Sequence, residues 1–88
     1  MSDEYDKLRE LLAALEYPSV YLYKFIVKQD PLKVVDIKRC FSETAEFTTR
    51  ESKNGNYVTV SIREMTLTSD AIIERYKTVG KIENVITL

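Results

Sequence analysis

The chain has 88 residues and a formal net charge of −1, so it makes one small domain whose stability would gain from association with a copy of itself or a partner. It has no histidine and a single cysteine, Cys40. That excludes an intrachain disulfide, Ser-His and Cys-His nucleophile pairs and ordinary zinc sites, and the near-even charge speaks against nucleic acid and an anionic membrane surface.

Ser2 to Leu15 predicts a helix, because Tyr5, Leu8, Leu11, Leu12 and Leu15 recur at three- and four-residue spacing. Ser2 is its expected cap, with Asp3 and Glu4 favourably placed at the positive helix start. Pro18 stops it, which sets residues 1–16 apart as an N-terminal helix before a domain over 17–88. The acidic start lacks the pattern of a secretion signal, and no apolar run is long enough to span a bilayer. With the lone cysteine, these features fit a cytoplasmic protein.

Ser19 to Lys28, "SVYLYKFIVK", reads as a strand rich in β-branched and aromatic residues. Tyr21, Tyr23, Phe25 and Val27 share the face expected to point inward. Val20, Leu22, Lys24, Ile26 and Lys28 share the other. "DPLKVVDIKRCF" then opens a helix with Asp30 as cap and Pro31 at the first position, where a missing N–H costs nothing. Val34, Ile37 and Phe41 fall on its inner side, with Leu32 and Cys40 nearby.

"TRESKNGNYVTVSI" predicts a hairpin, since Asn-Gly favours a type I′ turn with positive φ at both residues. That turn pairs Ser52 with Tyr57, Arg50 with Thr59 and Thr48 with Ser61. Phe47 and Thr49 then join Val58, Val60 and Ile62 on the opposite, apolar face. A slip of one residue would mix the two sets. "SDAIIERYKTVG" predicts a second main helix, capped by Ser69, with Ile72, Ile73, Tyr76 and Val79 as its stripe and Gly80 as a left-handed C-terminal cap. "IENVITL" predicts a last strand with Ile82, Ile86 and Leu88 facing inward.

The resulting order is α+β: a ferredoxin-like βαββαβ sandwich, with an antiparallel four-stranded sheet and two helices on one face, preceded by the N-terminal helix. The other face is left open unless that helix or another chain covers it. It should carry Leu22, Lys24, Ile26, Thr48, Arg50, Ser52, Tyr57, Thr59, Ser61 and Arg63.

Three stretches, "YPSVYLYKFIV", "RESKNGNYVTVSI" and "ERYKTVGKIENVITL", resemble the YbeD-like family of small bacterial proteins. The resemblance rests on Tyr17-Pro18, Lys24 and the R-x-S-x-x-G-x-Y pattern of Arg50, Ser52, Gly55 and Tyr57. It implies a fold similar to ACT-type regulatory domains, a link to lipoate metabolism and no known catalytic activity. Asn54 stands where family members often have lysine, and "DPLKVV" lacks the glycine of an ACT-style amino-acid pocket.

The open-face cations Lys24, Arg50 and Arg63 form the candidate binding site, with Ser52, Tyr57, Thr59 and Ser61 as hydrogen-bond donors. No catalytic, cofactor or metal residues are expected. Ser52 and Lys53 point to opposite faces and cannot share a proton, and Cys40 reads as a semi-buried structural thiol. Glu43 with Glu46, and Glu51 with Glu64, read as surface acids that nothing orients. RNA recognition on such a sheet needs stacked aromatics, and Tyr57 stands alone there. The expected role is therefore a regulatory or adaptor module for a metabolite or protein partner, in which a homodimer is allowed. The alternative is a structural subunit of a larger assembly.

Overall fold

The computed structural model of the protein describes residues 4–88, so the expected cap Ser2 and the acid Asp3 lie outside the described residues. The elements are α1 (Asp6–Ala13), β1 (Ser19–Lys28), α2 (Pro31–Lys38), β2 (Glu46–Glu51), β3 (Tyr57–Thr66), α3 (Ser69–Val79) and β4 (Ile86–Thr87). They form one four-stranded sheet of order β2-β3-β1-β4 in which every neighbouring pair is antiparallel. Each helical crossover, β1-α2-β2 and β3-α3-β4, skips one strand. That is the ferredoxin-like split βαβ topology.

Pleating sorts the side chains as their alternation predicts. Tyr23, Phe25 and Val27 of β1 and Val58, Val60 and Ile62 of β3 are all buried. They meet Ile37 of α2 and Ile72, Ile73 and Val79 of α3 in one core. Edge strand β2 contributes half-buried Phe47, while Thr49 stays exposed. Leu32 of α2 is also exposed, at the first turn and away from the core that its neighbour Ile37 enters.

The hairpin register is the expected one, with Arg50 opposite Thr59 and Thr48 opposite Ser61. The turn itself differs. Positive φ occurs at Gly55 (75°) and not at Asn54. Gly55 donates to the Ser52 carbonyl at 2.9 Å, and Ser52 donates to the Tyr57 carbonyl at 2.8 Å. The loop is thus four residues, Lys53 to Asn56, of the kind built around a type I turn. Asn54 Oδ1 accepts from the Asn56 N–H and the Ser52 hydroxyl, a local role that leaves the left-handed position to glycine. Both turns leave the same residues paired, so the register survives.

Asp30 caps α2 by accepting from the Leu32 N–H at 3.0 Å, with Pro31 in the first turn as expected. The cap of α3 lies one residue earlier than predicted: Thr68 Oγ1 accepts from the Ala71 N–H, and Ser69 is already helical. Gly80 is right-handed (φ −62°), not left-handed. A Cβ there would come within 3.1 Å of the Tyr76 carbonyl, the one its own N–H bonds, so φ does not call for glycine at this position. After α3 the left-handed residue is instead Asn84 (φ 62°).

That turn resets the phase of the last strand. Ile82 and Val85 pack against the core, but Ile86 and Leu88 do not, being 54% and 65% exposed. Ile86 pairs with Ile26, an outward position, so the inward expectation for Ile86 and Leu88 is overturned by register. α1 is shorter than its apolar stripe. Leu12 is buried, Tyr5 and Leu8 pack against the core, and Leu11 and Leu15 remain exposed. The helix lies against α3 and its end is tied by Tyr17, whose hydroxyl donates to the Leu12 carbonyl at 2.7 Å. It does not cover the open side of the sheet.

Candidate functional site

The uncovered face is a grid set by strand register. Glu46, Arg63 and Leu22 share one row across β2, β3 and β1; Thr48, Ser61 and Lys24 share the next. Arg50, Thr59, Ile26 and Ile86 form a third, and Tyr57 opposite Lys28 a fourth. Rows lie about 6.8 Å apart and strands about 4.8 Å apart. The structure thus brings Lys24, Arg50, Tyr57, Thr59, Ser61 and Arg63 onto one face, as predicted. Ser52 reaches the end of that face, but its hydroxyl is engaged in the turn, accepting from the Tyr57 N–H and donating to Asn54 Oδ1, both at 3.0 Å.

Two shallow depressions meet on the second row. One, of about 360 Å³, is lined by Leu22, Lys24, Glu46, Thr48, Ser61 and Arg63. Its neighbour, of about 580 Å³, shares Lys24, Thr48 and Ser61 and adds Arg50, Thr59 and Leu88 among its walls. Among the described residues, Lys24, Lys28, Arg50 and Arg63 form no ion pair. The face holds these four cations and one acid, Glu46, an excess of three; the chain as a whole carries −1, which leaves the remainder at −4. Arginine forks match carboxylate or phosphate oxygens two at a time, lysine adds a point charge, and intervening hydroxyls donate. The arrangement can hold an extended anionic surface.

The opposite face contains a constellation that sequence reasoning missed. Glu64, read as an unoriented surface acid, is only 7% exposed. Arg75 of α3 grips it with two bonds, Nε to Oε1 at 2.8 Å and Nη2 to Oε2 at 3.0 Å. The Ser42 N–H donates to Oε2 at 2.9 Å, and Arg75 Nη1 donates to the Cys40 carbonyl at 2.6 Å while its guanidinium lies over the Phe41 ring. Burial alone would push the Glu64 carboxyl up; the Ser42 N–H and the Arg75 bonds overcome this and hold it below the usual range. The available signal was phase. Glu64 continues the inward series Val58, Val60, Ile62, and an acid there demands a cation. Glu51, at the far end of β2, instead accepts from Gln29 Nε2 at 2.6 Å.

Cys40 is half-buried, its thiol donates to the Asp36 carbonyl, and burial pushes its pKa up. Beside it lies an aromatic cluster. Tyr23 packs edge-on against Tyr21, Phe41 and Tyr76, and the Tyr21 and Tyr76 hydroxyls meet at 3.0 Å. The Tyr23 hydroxyl is buried without a hydrogen-bond partner among the described residues. Burial raises the pKa of both Tyr23 and Tyr76 above the ordinary tyrosine value. Among the described residues, no helix is long and apolar enough to cross a membrane, and no cluster of histidine, cysteine or acids could hold a metal.

These features define an α+β ferredoxin-like domain with one packed sheet face and one cationic, uncovered face. The chain belongs to the family described as "Protein of unknown function (DUF493)", which matches residues 13–88. YbeD-like proteins are part of that family, so the resemblance read from Tyr17-Pro18, Lys24 and the Arg50 to Tyr57 pattern holds. The match takes in the whole sheet but only the last residue of α1. No curated protein and no solved structure matches the chain.

Proposed function

We propose that this protein is a non-catalytic binding module whose open sheet face recognises an anionic group on a metabolite or protein partner. The observation that carries this reading is the set of cations without an ion pair among the described residues, Lys24, Arg50 and Arg63, interleaved with Thr48, Thr59 and Ser61 on one face. Holding like charges together costs free energy through mutual repulsion, which an anionic ligand would relieve. The proposal extends, on the resemblance to YbeD-like proteins alone, to a cytoplasmic regulatory role near lipoate metabolism.

The test is a nitrogen-15 NMR titration with inorganic phosphate and with citrate, on the native chain and on Lys24→Ala with Arg50→Ala. The expected result is a set of shifts confined to amides of the open face, lost in the double variant while its spectrum stays dispersed. Shifts scattered over the whole surface, or equal in both proteins, would overturn the reading. The double variant should retain stability within about 0.5 kcal/mol, because neither side chain supports the core.

A further inference from the structure

We infer that the open face docks an acidic amphipathic helix supplied by a partner protein; this rests on the reading of that face as anion-recognising and names its occupant. Charge alone does not describe the surface. Leu22 is 43% exposed beside Arg63, and half-buried Ile26 with exposed Ile86 and Leu88 forms an aliphatic strip along β1 and β4, with Lys24 next to it on β1 and Arg50 one strand beyond, across Thr59. Water-exposed aliphatic side chains gain about 25 cal/mol for each Å² covered. A ligand that neutralises the cations while covering the strip satisfies both at once.

The other candidate occupants fit less well. A compact anion meets a mismatch of scale, since the cations spread over rows that span roughly 20 Å. A second copy laid face to face would set one surface of net +3, Glu46 already counted, against another. Single-stranded RNA would need aromatic platforms, and among the described residues the face offers Tyr57 alone, opposite Lys28 in the fourth row. An added strand would pair with a sheet edge and leave the face bare. A helix fits the shape: four strands at about 4.8 Å accommodate a cylinder of about 10 Å, as α2 and α3 demonstrate on the other side.

The experiment uses a synthetic helix of about 20 residues with a leucine stripe flanked by glutamates. Its controls are the same peptide with every glutamate replaced by glutamine, one with every leucine replaced by serine, inorganic phosphate, and a uridine oligonucleotide. The Glu/Leu helix should bind saturably, shift open-face amides, and weaken roughly tenfold with Arg50→Glu plus Arg63→Glu. A matching Lys/Leu helix should then bind that variant, which shows that it is folded and that charge sets the choice. Equal binding of the glutamine or serine peptide, tighter binding of the oligonucleotide, or a native dimer that this variant dissociates would overturn the inference. If phosphate binds the face and the Glu/Leu helix does not, the helix is wrong and the anion-recognising reading stands. If no probe shifts the face, both fall.

Discussion

Arg63 and Glu64 are neighbours on β3 and project to opposite sides of the sheet. Glu64 is buried and accepts from Arg75 and Ser42, so its charge is offset by three bonds. Arg63 has Leu22 on one side and Glu46 on the other, with no ion pair among the described residues. One residue of pleat therefore separates a charge satisfied inside the fold from one that faces solvent with no ion pair among the described residues. The pair teaches that charge counts by residue type say little until each charge is assigned a face.

Replacing Arg75 should show the contrast most strongly. Arg75→Met leaves a buried carboxylate without its cation and should cost about 3 kcal/mol or more in urea unfolding at neutral pH. Arg63→Met, one face away, should change stability by less than about 0.5 kcal/mol. Similar costs for the two would break the comparison.

The same acid sets a pH dependence. Its folded pKa is depressed, so its contribution is complete above the unfolded glutamate value of about 4.3 and is lost as pH falls through the lower folded value. Thermal melts from neutral pH down to the acid range should show a falling limb in the native chain that Glu64→Gln flattens. Gly55→Ala should cost about 1 kcal/mol, because φ of 75° strains any residue with a Cβ although the space around it is empty. The smallest effect belongs to Tyr23→Phe. This removes a buried hydroxyl that has no partner among the described residues, so stability should hold within about 0.5 kcal/mol or rise slightly. A loss well beyond that would show that the packed side depends on a polar contact at Tyr23.

Strand phase was legible in the sequence because alternation and register constrain each other. Once Asn54-Gly55 is taken as the turn, Val58, Val60 and Ile62 face one way and Arg50, Thr59 and Ser61 the other. The exact turn was not legible, since two loop geometries give the same pairing. The last strand misled for a different reason. "IENVITL" has no clear alternation, and the bend at Asn84 decides which of its residues turn inward. The Arg75–Glu64 clamp joins positions 11 residues apart through a helix whose azimuth local patterns do not fix, though the inward phase of Glu64 pointed to it. The cationic residues of the candidate site were readable one by one. That they form no ion pair among the described residues needed the third dimension.

The chain is acidic as a whole, of pI about 5.4, yet its uncovered sheet face carries a local cationic excess. On the proposed reading, an anionic partner would be drawn to the sheet side before any atoms touch. An ion-exchange column would meet two different proteins in one, depending on the sign of its resin.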